Sequence, residues 1–368
     1  MLLLDKLMGL YKMLCLFMSN HHVIDTVFFK SFASFFSALV VALGIGSVVI
    51  IWLRHLCVFQ TIRVECPDTH RLKRDTPTMG GIIMLISSIV SILMWADLSN
   101  LYVWYVLFIF IVYGLLGWID DFLKIKRKNA LGMRGLNKYF WQTLSAFLLS
   151  IVIFMMRIDC INTDLEGWYY LKDIVSKLDI WGVLLSYFVI VGTSNSTNLS
   201  DGLDGLAIVL IILITTGLIV IAWISSNVYF SNYLQILYID RVQELIIICA
   251  AIIGTGLGFL WFNSYPAQIF MGDTGSLSFG GAIGVITVLL QQEYLLLVIG
   301  GIFVMESLSV ILQVSYFKIF KKRIFKMTPI HHHFELQGCP EPKLVVRFWI
   351  ISLVLLLLGL TIVIFKII

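Results

Sequence analysis

The sequence predicts an all-α integral membrane protein, a bundle of ten transmembrane helices with its polar loops on the cytoplasmic side. Three observations carry that reading. Of 368 residues, 60% are hydrophobic and 13% charged, about half the charged share of an ordinary soluble domain, and mean hydropathy is +0.96. Apolar runs of roughly 20 residues, each long enough to cross a hydrocarbon core, recur along the chain. The unusual polar sequences fall on alternate connections between those runs.

Taken in order, the spans are 31–53, 79–96, 101–119, 139–156, 179–196, 205–224, 241–262, 276–291, 294–316 and 345–366. Lipid offers the backbone no hydrogen-bond partner, so such spans are helices, and the weak alternation of a membrane barrel is absent. No connection is long enough for a separate domain, so residues 1–368 are expected to form a single polytopic unit. Within it, 1–30, where Lys6 and Lys12 interrupt apolar residues, reads as an interfacial N-terminal segment and not a cleaved signal peptide. Cys15, Cys57, Cys66, Cys160, Cys249 and Cys339 show no C-x-x-C spacing and read as free thiols.

Cations fix the expected sidedness. The connection after span one holds Arg54, Arg63, Arg71, Lys73 and Arg74; that after span three holds Lys124, Lys126, Arg127, Lys128, Arg134 and Lys138. The one after span nine holds Lys318, Lys321, Lys322, Arg323, Lys326 and Lys343. Together these are 17 of the 26 Lys and Arg. The positive-inside rule places them in the cytoplasm, and an even span count puts both termini outside. The same side receives "LKRDTPTMGG", "DDFLK", "NSTNLSDGLDGLA", "FMGDTGS" and "TPIHHHFE".

Each motif has a plain and a chemical reading. Asp120 and Asp121 end span three, where Asp120 and Lys124 at i, i+4 make an ordinary surface pair worth a few tenths of a kcal/mol. Adjacent carboxylates also suit Mg²⁺, a hard cation that bridges carboxylates to substrate phosphates. Asp201 or Asp204 could cap span six, but two carboxylates plus Asn198 exceed what a cap needs. Asp273, Thr274 or Ser276 could cap span eight, and nearby Phe270 and Asn263 could stack on and read a base. In "PIHHHFE" a zinc site lacks finger-like partner spacing, and imidazoles donating to phosphate oxygens beside Lys73 and Lys138 fit better. Gly254 with Gly258, and Gly280 with Gly284, have the G-x-x-x-G spacing of close helix packing. Walker, dinucleotide-binding and G-x-S-x-G patterns are absent.

In this order, "TPTMGG", "NLSDGLDGLA", "FMGDTGSLS" and the stretch from "SVILQVSYF" through "PIHHHFE" to "VVRFWI" resemble the phospho-N-acetylmuramoyl-pentapeptide transferase family. That family belongs to the wider group of polyprenyl-phosphate hexosamine-1-phosphate transferases. The resemblance implies a ten-helix enzyme of the bacterial inner membrane, with its active site facing the cytoplasm and both termini periplasmic. It would move phospho-MurNAc-pentapeptide from UDP-MurNAc-pentapeptide to undecaprenyl phosphate, giving lipid I and UMP with Mg²⁺ as cofactor. The implied partners are those two substrates and membrane lipid, no nucleic acid, with a homodimer left open. By motif position, Asp273 matches the Mg²⁺-associated aspartate, and Asp120 and Asp121 match the acidic pair. Asn198, Asp201, Asp204, Asn263, Phe270 and Gln313 match the nucleotide pocket. Lys73, Thr78, Lys138, His331, His332 and His333 match polar positions around the same cleft. Asp75 stands where the family usually has Gly.

Two other classes make different predictions. A secondary transporter would place acidic residues within broken spans near the mid-membrane, not at one face. A non-catalytic assembly protein would tolerate Asp273→Asn.

Overall fold

Spans that find no hydrogen-bond partner in lipid must satisfy their backbone internally, and the described residues do so with helices. A computed structural model describes residues 22–56, 76–127, 132–164 and 179–365, and these contain thirteen helices and no strand. Lys73, Asp75 and the segment before residue 22 lie outside the described residues, as do Cys15, Cys57 and Cys66. Cys249 and Cys339 are free thiols, as expected.

The helices are α1 (His22–His55), α2 (Gly81–Trp95), α3 (Leu101–Arg127), α4 (Gly135–Asp164), α5 (Asp179–Ser200), α6 (Leu206–Ser225) and α7 (Val228–Leu234). They continue with α8 (Glu244–Asn263), α9 (Gly272–Leu289), α10 (Glu293–Ile299), α11 (Gly301–Phe320), α12 (Ile330–Glu335) and α13 (Glu341–Phe365). Seven of them, α1, α3, α4, α6, α8, α11 and α13, are long and apolar enough to cross a membrane, and α2 is a shorter apolar helix. The other two predicted spans fall on α5 and α9, which Gly, Ser, Thr and Asn make less apolar. Span nine is not one helix: it breaks at Gly300 and Gly301 into α10 and α11.

The reason α9 can be polar is that it touches little but protein. Every residue from Thr274 to Leu289 is buried. It packs mainly on α3 and α5, and its hydroxyls bond back to its own carbonyls: Ser276 to Gly272, Ser278 to Thr274 and Thr287 to Ile283. Small residues allow the approach. A Cβ at Gly280 or Gly284 would press on the backbone of α5 at Ser194 and Ile190, and one at Gly281 on the Tyr113 ring of α3. The other G-x-x-x-G pair acts alike, with Gly254 against the Phe35 backbone and Gly258 against Ala42, which seats α8 on α1.

Hydroxyls join α2 to that second pair of helices. Ser34 lies 2.9 Å from Ser91 and donates to the Ile247 carbonyl at 3.0 Å, while Ser87 and Ser88 both reach Thr255. At one end of the bundle Glu244 accepts the Asp97 amide and Asn100 donates to the Arg241 carbonyl. The described parts of the five polar connections gather at the other end.

Candidate active site

Two helix ends build the centre of that polar rim. The sequence suggested that span three stops near Asp120, but α3 continues to Arg127. Asp120, Asp121 and Lys124 therefore share one helical surface and turn inward, with both carboxylates buried. Asp273 enters from the first turn of α9. One ligand oxygen from each of Asp120, Asp121 and Asp273 can be chosen so that all lie within 4.8 Å of one another. What brings α3 and α9 so close is Gly117, because a Cβ there would strike the carbonyl of Asp273.

Two cations fill the space among these carboxylates. Lys124 Nζ is 2.6 Å from Asp120 Oδ2, 3.1 Å from Asp273 Oδ1 and 3.6 Å from Asp121 Oδ1. Lys138, from α4, approaches Asp273 Oδ2 at 2.5 Å and Asp120 Oδ2 at 3.9 Å. Asn198 Nδ2, near the end of α5, donates to Asp273 Oδ1 at 3.0 Å and to Ser276 Oγ at 2.8 Å. The surface pair expected between Asp120 and Lys124 is thus present, but as one edge of a four-helix cluster.

The two adjacent aspartates do different jobs. Asp121 accepts the backbone amides of Asp273 at 3.3 Å and Thr274 at 3.0 Å, and the Thr274 hydroxyl at 2.8 Å. It caps α9 from another helix, since no side chain caps it from Met271, the local position. The caps suggested for Asp273 and Asp204 are not used in that way: Asp273 faces the lysines, and α6 starts from Gly205 with no side-chain cap. Asp120 instead holds the loop before α4, accepting the Met133 amide at 2.7 Å.

Around this cluster a frame of backbone bonds sets the remaining predicted residues. Phe270 donates to Pro77 O, while Gly80 and Gly81 donate to the carbonyls of Phe270 and Met271, so "TPTMGG" runs beside the turn into α9. Thr78 is buried there, against Gly272, whose φ of 70° suits glycine. Asp201 takes the Gly272 amide; burial and then the negative charges of Asp273 and Asp121 push its pKa up to about 8. Asp204 accepts the Ala267 amide and donates its own to Glu341. Asn263, expected to read a base, is buried and uses its side chain on the Gly205 amide and the Ile269 carbonyl, because α8 must join the turn that opens α6.

The C-terminal motif folds over the same rim. Gln313 binds the backbone of Ile324 and Phe325. His331 is buried 3.1 Å from Glu306 Oε2, with its Nε2 against Gly202 of the Asp201 loop. His332 pairs with Glu335 at 2.7 Å, and His333 accepts the Lys326 amide and meets Gln337. The imidazoles thus partner carboxylates and an amide, while Lys138 partners Asp273. Sequence reading passed over Glu306, although a lone carboxylate in an apolar run is a signal in itself, and treated Lys124 only as a surface partner.

Against known proteins, the chain matches a profile described as glycosyl transferase family 4 over residues 103–291, which include the acidic pair, the Asp201 loop and Asp273. Residues 73–85 match the phospho-N-acetylmuramoyl-pentapeptide-transferase signature 1. The protein named phospho-N-acetylmuramoyl-pentapeptide-transferase from Blochmanniella floridana is 58% identical over 341 residues, 92% of this chain and 93% of its own length. The chain belongs to the phospho-N-acetylmuramoyl-pentapeptide-transferase family. As a member of that transferase family it is a membrane enzyme with a nucleotide-sugar donor and a lipid acceptor. In this transferase the donor set at the rim is all carboxylate oxygen, the chemistry that a hard dication takes.

Proposed function

We propose that the chain transfers phospho-MurNAc-pentapeptide from UDP-MurNAc-pentapeptide to undecaprenyl phosphate, forming lipid I and UMP, at the Asp120, Asp121 and Asp273 cluster. The carrying observation is that three carboxylates from two helices converge on one point in a chain 58% identical to a relative bearing that enzyme's name. Asp273 is the principal Mg²⁺ ligand in this reading, with Asp120 and Asp121 beside it. When bound there, the ion supplies neutralising charge to the donor diphosphate.

The chain's own groups do the rest. An oxygen of the lipid phosphate attacks the sugar-linked phosphorus, the bond to the UMP oxygen breaks, and UMP leaves. A phosphate monoester has its second pKa near 6, so the acceptor is largely dianionic at neutral pH and needs little deprotonation. Asp120, whose Oδ1 holds the loop ahead of α4, then positions the acceptor side of the cleft. Lys138 holds Asp273 in place and offers a cation to the phosphates. Thr78, Asn198, Asp201, Asp204, Asn263, Phe270 and Gln313, with Lys73 and His331 to His333, frame the donor. Asn263 and Gln313 do so through the loops they hold. A covalent aspartyl-phosphate route is the rival, and trapping a phospho-aspartyl enzyme with donor alone would replace direct attack.

In this reading residues 1–368 form one polytopic domain in the bacterial inner membrane, with the rim in the cytoplasm and both termini periplasmic. The 17 cations on the rim-side connections support that orientation. The test is UMP release from UDP-MurNAc-pentapeptide in active membranes. Release that requires both undecaprenyl phosphate and Mg²⁺ is expected; none with all three present overturns the assignment. Release from UDP-N-acetylglucosamine instead would assign the sister reaction.

A further inference from the structure

Lys124 occupies the place where a cation held by all three carboxylates would stand. Its Nζ lies 2.6, 3.1 and 3.6 Å from one oxygen of Asp120, Asp273 and Asp121 respectively. Lys138 differs: it binds Asp273 from the α4 side and only grazes Asp120. Three formal negative charges face two ammonium groups, so the cluster is nearly neutral with no metal present. A dication drawing on the same oxygens needs them at about 2.0–2.1 Å for Mg²⁺, and would stand within a few ångströms of Lys124 Nζ. At that range, beside buried carboxylates, two cations repel strongly.

We propose that Lys124 is a tethered counter-ion that exchanges with the divalent cation. It holds the carboxylates together before the ion arrives and is displaced by it toward the cleft, where its charge becomes available to donor phosphates. The inference rests on the reading of this cluster as the metal site. Its anatomy favours such a movement. Lys124 is the more exposed of the two lysines, 28% against 16%, and its charge rides on a flexible four-carbon stem. Its carboxylate partners are fixed independently: Asp121 by the amides of α9, Asp120 by Met133 and Asp273 by Asn198. They keep their places when the ammonium leaves.

The exchange makes an unusual demand, because a residue at a metal site then weakens metal binding. The experiment measures Mn²⁺ binding by electron paramagnetic resonance, and the Mg²⁺-induced rise in Tm, on the purified full chain without donor. Lys124→Met is expected to bind Mn²⁺ about tenfold more tightly or better, since removing a competing charge at such range outweighs that factor. Its metal-free Tm should fall below wild type and its Mg²⁺-induced rise should exceed wild type's, while UMP release drops. Lys124→Arg keeps the charge and should bind no more tightly than wild type, which separates charge from packing. Binding by Lys124→Met that is equal to or weaker than wild type overturns the exchange while leaving the metal site standing. Equal Mn²⁺ binding by wild type and Asp273→Asn removes the metal site, and the exchange with it.

Discussion

At the scale of single residues, the site divides labour between neighbours of the same type. Asp273→Asn keeps the size of the side chain and loses the charge that both lysines and the proposed ion require, so UMP release should fall by roughly a hundredfold or more with folding intact. Asp121→Ala acts differently. It leaves the first amides of α9 without their cap, and the expected result is a loss of about 1–3 kcal/mol in stability, read as a lower Tm in detergent. Asp201 supplies a pH effect. Its carboxyl is raised to about 8, above the 3.8 of an ordinary carboxyl, so the native state favours the protonated form. That stabilising contribution is complete below pH 3.8 and is lost as pH rises through 8. The Tm of the metal-free protein should therefore decline from pH 5 to 9, and Asp201→Asn should flatten the decline. Asp201 and Asp273 were legible in the sequence as acidic residues beside glycine and Asp121 as half of an adjacent pair, yet Asp121's role was not. A cap supplied by a different helix leaves no local pattern.

At the scale of elements, the geometry of the cluster depends on how closely α3 and α9 approach. Gly117→Ala adds one methyl group against the Asp273 carbonyl and must push the helices apart. A displacement near 1 Å at a reacting centre can reduce turnover by about a hundredfold, so kcat should fall well before Tm does. Gly284→Leu, at the far end of α9, should instead lower Tm, because it meets the α5 backbone away from the rim. The hydropathy pattern located the seven helices that are long and apolar enough to cross a membrane and the shorter α2, since apolar length is a local property. It placed their ends less well. Helix α3 runs past its acidic pair and α9 starts before Asp273, because protein partners take over from lipid at the rim. The pair Gly300 and Gly301 divides span nine although the apolar run continues through it.

At the scale of the whole molecule, the described parts of five connections, spread from residue 76 to residue 335, come together at one end of the bundle. The sequence signalled this gathering through alternation: polar motifs fall on every second connection, and three of those five carry most of the cations. It could not say which motif touches which, because contacts such as Gly202 with His331 or Asp204 with Glu341 are set by packing of distant spans. The orientation is checked by fusing alkaline phosphatase after the C-terminus. Enzymatic activity of the fusion is expected, and an inactive fusion with an active cytoplasmic reporter at the same point would invert the topology.

Because α9 is sheathed along its length by other helices, the aspartate it carries has almost no direct acquaintance with the bilayer. Variation in acyl-chain length must be absorbed by tilting of the outer spans, at a fraction of a kcal/mol per ångström of mismatch. The central helix works as a keel, and the rim built on it can keep its spacing while the fluid around the protein grows thicker or thinner.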